Sequence, residues 1–141
     1  MKPFLFSLLL ITSGAAVAQC GKTVILTSAL TEYLDAGYTV QRTVDENSSI
    51  SIDSSQLIIT PGDQNKMVGA ITSSTCNWKQ PFKEGKSVIK ATFTRDGQQK
   101  MNATITIEGK DGKVTLLMDM EQMPDRKIRI TANKFEEQSK S

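Results

Sequence analysis

The sequence predicts an all-β fold: a single antiparallel up-and-down meander of about eight or nine strands, closed or nearly closed into a barrel. Three observations carry this. Apolar residues recur with a period of two, turn residues interrupt them at short intervals, and no segment holds a 3.6-residue apolar stripe over three turns. Strands with one apolar face must hide those faces against one another, which leaves a barrel or, as the alternative, a β-sandwich. Short sequential connections favour the barrel.

The alternation is plainest in the second half. Ile89, Ala91 and Phe93 alternate with Lys90, Thr92 and Thr94, and Met101, Ala103, Ile105 and Ile107 alternate with Asn102, Thr104 and Thr106. Val114, Leu116, Met118 and Met120 continue the pattern, as do Ile128, Ile130 and Ala132 against Lys127, Arg129 and Thr131. Such strands have one dry and one wet face. Phe93, Ile105, Leu116 and Ile130 are therefore expected inside, and Lys90, Thr104, Thr115 and Arg129 outside. Arg95-Asp96-Gly97, Gly109-Lys110-Asp111-Gly112 and Met123-Pro124-Asp125 supply the turns between these strands.

The first half follows the same logic. Its strands are expected at Thr23 to Thr27, Tyr38 to Val44, Ser49 to Asp53, Gln56 to Thr60 and Met67 to Trp78, with turns at Asp53-Ser54-Ser55 and Pro61-Gly62-Asp63. Leu30 to Ala36 fits either one helical turn or a continuation of the first strand. Residues 136–141 have no apolar content and read as a flexible tail, leaving 19–135 as one β-barrel domain.

Residues 1–18 read as a signal peptide. Lys2 gives the positive start, Phe4-Leu5-Phe6 and Leu8-Leu9-Leu10-Ile11 a short apolar stretch, and Ala16-Val17-Ala18 a small-x-small cleavage pattern. Cleavage after Ala18 leaves Gln19 first. Lipid attachment at Cys20 would need a small residue before it, and that residue is Gln19. The apolar run falls short of the roughly 20 residues of a spanning helix, so the chain is expected in the periplasm or outside the cell and not spanning a membrane. There, Cys20 and Cys76 have one possible pairing, a disulfide worth roughly 4 kcal/mol in the chain-entropy model. A redox pair would more typically show C-x-x-C spacing.

Removing the leader takes one lysine from 17 basic residues and none from 15 acidic ones, for a net charge of +1. A near-neutral chain is not expected to bind nucleic acid. The sequence has no histidine, which removes the commonest general base and zinc ligand. Serines occur without a G-x-S-x-G or S-x-x-K motif, and Asp96-Gly97 and Asp111-Gly112 lack calcium-loop spacing. No metal site or cofactor is expected, and the protein is expected as a non-catalytic monomer; the alternatives are a protein-interaction module or inhibitor acting through its loops and, third, an enzyme working through carboxylates and tyrosines alone.

Two candidate surfaces remain. Met118-Asp119-Met120-Glu121-Gln122-Met123 has an M-x-M-x-x-M spacing that can hold Cu(I), but Met118 and Met120 lie on an apolar strand face, where core filling is the simpler role. With Phe93 and Met101 they also form a candidate lining for a small apolar ligand, since a small barrel either fills its interior or holds one ligand. The second candidate is the stretch from Lys79 to Lys86, expected as a loop in which Phe82 sits among Lys79, Lys83 and Lys86. Phe82 there is either an anchor for a protein of the cell envelope or exterior, or a lid over the barrel end.

The leader, the meander, the single expected bridge and Thr31-Glu32-Tyr33-Leu34-Asp35 together resemble small lipocalin-like, calycin-type proteins exported by bacteria, over roughly Lys22 to Phe135. The resemblance is architectural. The G-x-W signature of lipocalins is missing, since Lys22 and Thr23 follow Gly21 and the only tryptophan is Trp78. It implies a non-catalytic binding module that holds a small apolar ligand in its barrel.

Overall fold

The computed structural model of the chain describes residues 22–62, 66–95 and 99–138. Its strands are β1 (Val24–Leu34), β2 (Val40–Ile52), β3 (Gln56–Pro61), β4 (Met67–Gln80), β5 (Glu84–Arg95), β6 (Gln99–Lys110), β7 (Lys113–Met120), β8 (Met123–Thr131) and β9 (Lys134–Glu137). From β1 to β8 each strand pairs antiparallel with the next, and β8 returns to β1. Eight strands thus close a barrel, and the sandwich is set aside. The first half of β1, Val24 to Thr27, pairs with β9, and its second half, Thr31 to Leu34, pairs with β8. β9 therefore takes up the edge of β1 that β8 leaves. The β2–β3, β4–β5 and β6–β7 hairpins share one end of the barrel, here the lower, with the start of β1; the β1–β2 and β7–β8 hairpins lie at the upper end.

The interior is built by the period-two pattern. Leu26, Leu57, Ile105 and Ile107 are at most 1% exposed, and burying such side chains contributes about 1.5–3 kcal/mol each. Phe93, Leu116 and Ile130 are buried as expected, and Lys90 is exposed. Thr104, Thr115 and Arg129 face outward but are half-buried. Cross-strand neighbours cover them: Thr104 lies between Lys90 and Asp119, and Arg129 is ion-paired with Glu32 at 2.8 Å.

Turn chemistry fixes the hairpins. Asp111 and Gly112 both have positive φ, 53° and 78°, the type I′ geometry that matches strand twist. Asp53 closes the β2–β3 turn by accepting hydrogen bonds from the backbone N–H groups of Ser55 and Gln56, both at 2.7 Å.

Three expectations are corrected, and at Leu30 to Ala36 the continuation of the first strand, one of its two expected readings, is the one found. The strands expected at Tyr38 to Val44 and Ser49 to Asp53 are not separate but merge into β2, which starts at Val40 and ends at Ile52, with an irregularity opposite Ser28 and Leu30 where Asp45-Glu46-Asn47 resembles a turn. Leu30 to Leu34 continues β1, and the chain turns only at Asp35, whose carboxylate accepts from Gly37 and Thr39 N–H. The β7–β8 turn is Glu121-Gln122, two residues earlier than expected, because Met120 and Met123 pair directly and Pro124 lies within the opening residues of β8. Glu136 and Glu137, assigned to the tail, belong to β9 through pairing with Ile25 and Val24. The signal peptide, Gln19, Cys20, the Asp96-Gly97 turn and residues 139–141 lie outside the described residues.

Candidate functional site

The side chains that the alternation singles out as a lining do come together. Phe93 pairs across β5–β6 with Met101, Met120 pairs with Ala103, and Met118 pairs with Ile105 on one side and Ile128 on the other. All sit on the inner wall formed by β5, β6 and β7, towards the upper end. Phe93, Met101 and Met118 are buried and Met120 half-buried. The Phe93 ring lies over its cross-strand neighbour Gly69 of β4, where an added Cβ would come within 2.8 Å of two ring carbons. Only a glycine leaves that space.

The opposite wall, from β1 and β2, contributes residues that the alternation did not mark. Thr31 pairs with Val44 and Ile130, and Tyr33 pairs with Arg42 and Ile128. Thr31 is 4% exposed, and its hydroxyl oxygen has no hydrogen-bond partner. One step towards the upper rim, the Arg42 guanidinium lies 4.5 Å above the Tyr33 ring centroid, a cation–π contact of about 0.5–1 kcal/mol at an exposed site. Signals for this pair existed in the two-residue spacing of Thr31 and Tyr33, but a polar residue on an inward position reads as a break in the pattern. At the same rim Tyr38 is half-exposed and Val40 exposed, and the Lys127 ammonium lies 4.9 Å over the Tyr38 ring. Its hydrogen bond to Asp119 holds the Lys127 pKa above the ordinary 10.5.

The lower end is plugged by aromatic rings. Trp78 is 1% exposed; its ring centroid lies 5.8 Å from that of Phe135, and Phe82 meets Phe135 edge-on at 4.9 Å. Gly109 admits the indole, since a Cβ there would sit 2.9 Å from Trp78 Cζ3 and 2.5 Å from the Lys83 carbonyl oxygen. The expected loop from Lys79 to Lys86 is instead two strand ends joined by a tight turn closed by Lys83 N–H donating to the Gln80 carbonyl. Pro81 and Phe82 occupy its central positions, and Phe82 has φ of 65° where a type II turn favours glycine. That conformation costs on the order of 1–3 kcal/mol, and it turns the half-buried ring back onto Phe135. Lys79, Lys83 and Lys86 are exposed around it. Beside the plug a cavity of about 20 Å³, lined by Asp53, Cys76, Ser87, Ile107 and Phe135 among others, has room for about one water. No cysteine among the described residues is free.

The barrel is thus closed by rings below, while in its upper half Phe93 and Met118 pack within the hydrophobic core with Met120 against it, and Tyr38 and Val40 are exposed at the upper rim. Comparison with protein-family models, curated proteins and solved structures yields no match. The eight-stranded closed meander is the architecture that the lipocalin resemblance implied.

Proposed function

We propose that this chain is an exported, non-catalytic, lipocalin-like binding module that takes a small apolar molecule into the upper half of its barrel. The observation that carries the reading is the Thr31 hydroxyl. A buried donor and acceptor without a partner costs roughly 1–3 kcal/mol, a cost removed when a molecule inside the barrel offers the missing hydrogen bond. Its surroundings support the same reading, because Phe93, Met101, Met118 and Met120 form an adaptable apolar wall. The facing of the strands supports a barrel working in water. Apolar residues point inward and Glu32, Lys90 and Arg129 outward, the reverse of a membrane-spanning barrel. The signal-peptide pattern supports cleavage after Ala18 and a periplasmic or extracellular location.

The test enlarges one lining residue. In a ligand chamber Met101→Trp consumes binding volume, so stability stays nearly unchanged while uptake of a neutral fluorescent apolar probe is lost. In a filled core it overpacks, costs typically 1–3 kcal/mol, and neither form binds the probe. The second outcome would overturn the reading.

One observation favours protein interaction as a second reading. Val40 to Asp45 of β2 pair with β1 on one side and with no described strand on the other. A free edge is where an extended segment of another protein adds a strand. Co-purification of an envelope or extracellular protein that is lost on Thr43→Pro would support it.

A further inference from the structure

We infer that the ligand class is an anionic amphiphile, its acidic head held at the rim by Arg42 and its apolar tail against the methionine wall. This rests on the ligand-chamber reading above and adds to it the polarity and orientation of the guest.

Arg42 pairs with Tyr33, and Tyr33 stands two residues beyond the buried Thr31 on the same inward face of β1. The guanidinium therefore belongs to the inner face at the mouth rather than to the outer surface. Lys127 is ion-paired with Asp119 and Arg129 with Glu32. No carboxylate among the described residues lies within ion-pairing distance of Arg42. The Tyr33 ring, its centroid 4.5 Å from the guanidinium carbon, lies against it, and the guanidinium N–H donors match a carboxylate or sulfonate in a two-bond fork.

Inward from that cation the chemistry changes within one strand pair. Val44, Ile128 and Ile130 adjoin Thr31 and Tyr33, and the Met118 side chain lies beyond Ile128. A charged group at the mouth, an apolar wall behind it and a single orphan hydroxyl among apolar neighbours fit a guest with one anionic end. A fully apolar guest leaves Arg42 without a role, and a polar guest does not suit the wall.

Titrations with two probes of equal chain length, dodecanoate and dodecanol, separate the possibilities. Both are run below their micelle or solubility limits, by displacement of a bound fluorescent probe and by calorimetry, on the parent protein and on Arg42→Gln. The expected result is tighter binding of dodecanoate than dodecanol by the parent. Arg42→Gln should weaken dodecanoate about five- to tenfold and leave dodecanol within about twofold. Added salt should weaken only the dodecanoate complex. Arg42→Lys, which keeps charge but not the fork, should fall between. Equal binding of the two probes, or an Arg42→Gln variant that binds dodecanoate as the parent does, overturns the anionic-head inference while leaving the chamber intact. Failure of both probes to bind the parent overturns the chamber and the inference together. Circular dichroism of Arg42→Gln guards against misfolding, and unaltered dodecanol binding is an internal check.

Discussion

The indole N–H of Trp78 donates to the Ser87 hydroxyl at 2.8 Å, and both side chains are buried at the closed end of the barrel. Ser87 in turn contacts Cys76 Sγ at 3.4 Å, its cross-strand neighbour on β4. The plug is therefore pinned by a directional bond as well as by ring packing. Replacing Ser87 with Ala removes the acceptor and leaves the indole N–H dry. The expected loss is about 1–3 kcal/mol in urea unfolding, followed through the emission of Trp78, the only tryptophan. An unchanged midpoint would mean that water satisfies the indole.

The barrel register makes opposite demands of adjacent residues on β6. Ile105 is fully buried between Ile89 and Met118, whereas Thr104 faces outward between Lys90 and Asp119. Ile105→Ala should cost about 2–5 kcal/mol and Thr104→Ala about 0.5 or less. Denaturant melts on the two variants give the comparison, and equal costs would contradict the inward and outward assignment.

What could be read from the sequence follows from where local and tertiary signals agree. On β5 to β7, alternation and the Asp111-Gly112 turn point the same way, and the inward placement of Phe93, Met101 and Met118 was legible from them. On β2, Asp45-Glu46-Asn47 carries turn chemistry, yet β1 pairs with the strand on either side and holds it in one piece. β9 has a single apolar residue, Phe135, and is held by the edge of β1 and by Gln138 N–H donating to the Thr23 carbonyl. Such pairing leaves no local pattern. The upper site was half legible for the same reason: its methionines obey the alternation, while Thr31 and Arg42 are polar residues at inward positions, and only the β1–β2 register joins them.

Asp53 gives the stability of the β2–β3 turn a pH dependence. Backbone hydrogen bonds, from Ser55 first and then Gln56, hold its carboxyl below the ordinary 3.8 against a smaller opposing effect of burial. A carboxyl whose pKa is lower in the folded state adds stability that is fully present above the unfolded value and is lost as pH falls through the folded one. Urea midpoints should therefore drop more for the parent than for Asp53→Asn between about pH 5 and pH 2. The amide keeps an oxygen acceptor for the turn but has no proton to gain. Parallel pH profiles for the two proteins would remove Asp53 from the acid response.

Cys76 is half-buried beside the lower cavity, against Ser87, at the same end of the barrel as the start of β1. Lys22 and Val24 line that cavity too, so the chain just after Cys20 runs past Cys76. A bridge between the two cysteines would fasten the N-terminal segment to β4 and seal the plugged end. Protein recovered after export should begin at Gln19 and take up no alkylating reagent without prior reduction. After reduction it should take up two equivalents. Reduction should lower stability by up to roughly 4 kcal/mol, the chain-entropy value for a loop of this size. Intact mass before and after alkylation reads both the processing site and the thiol count. A lipidated Cys20, or two thiols alkylated without reduction, would replace this account with an open N-terminal segment and leave the aromatic plug alone to close the barrel.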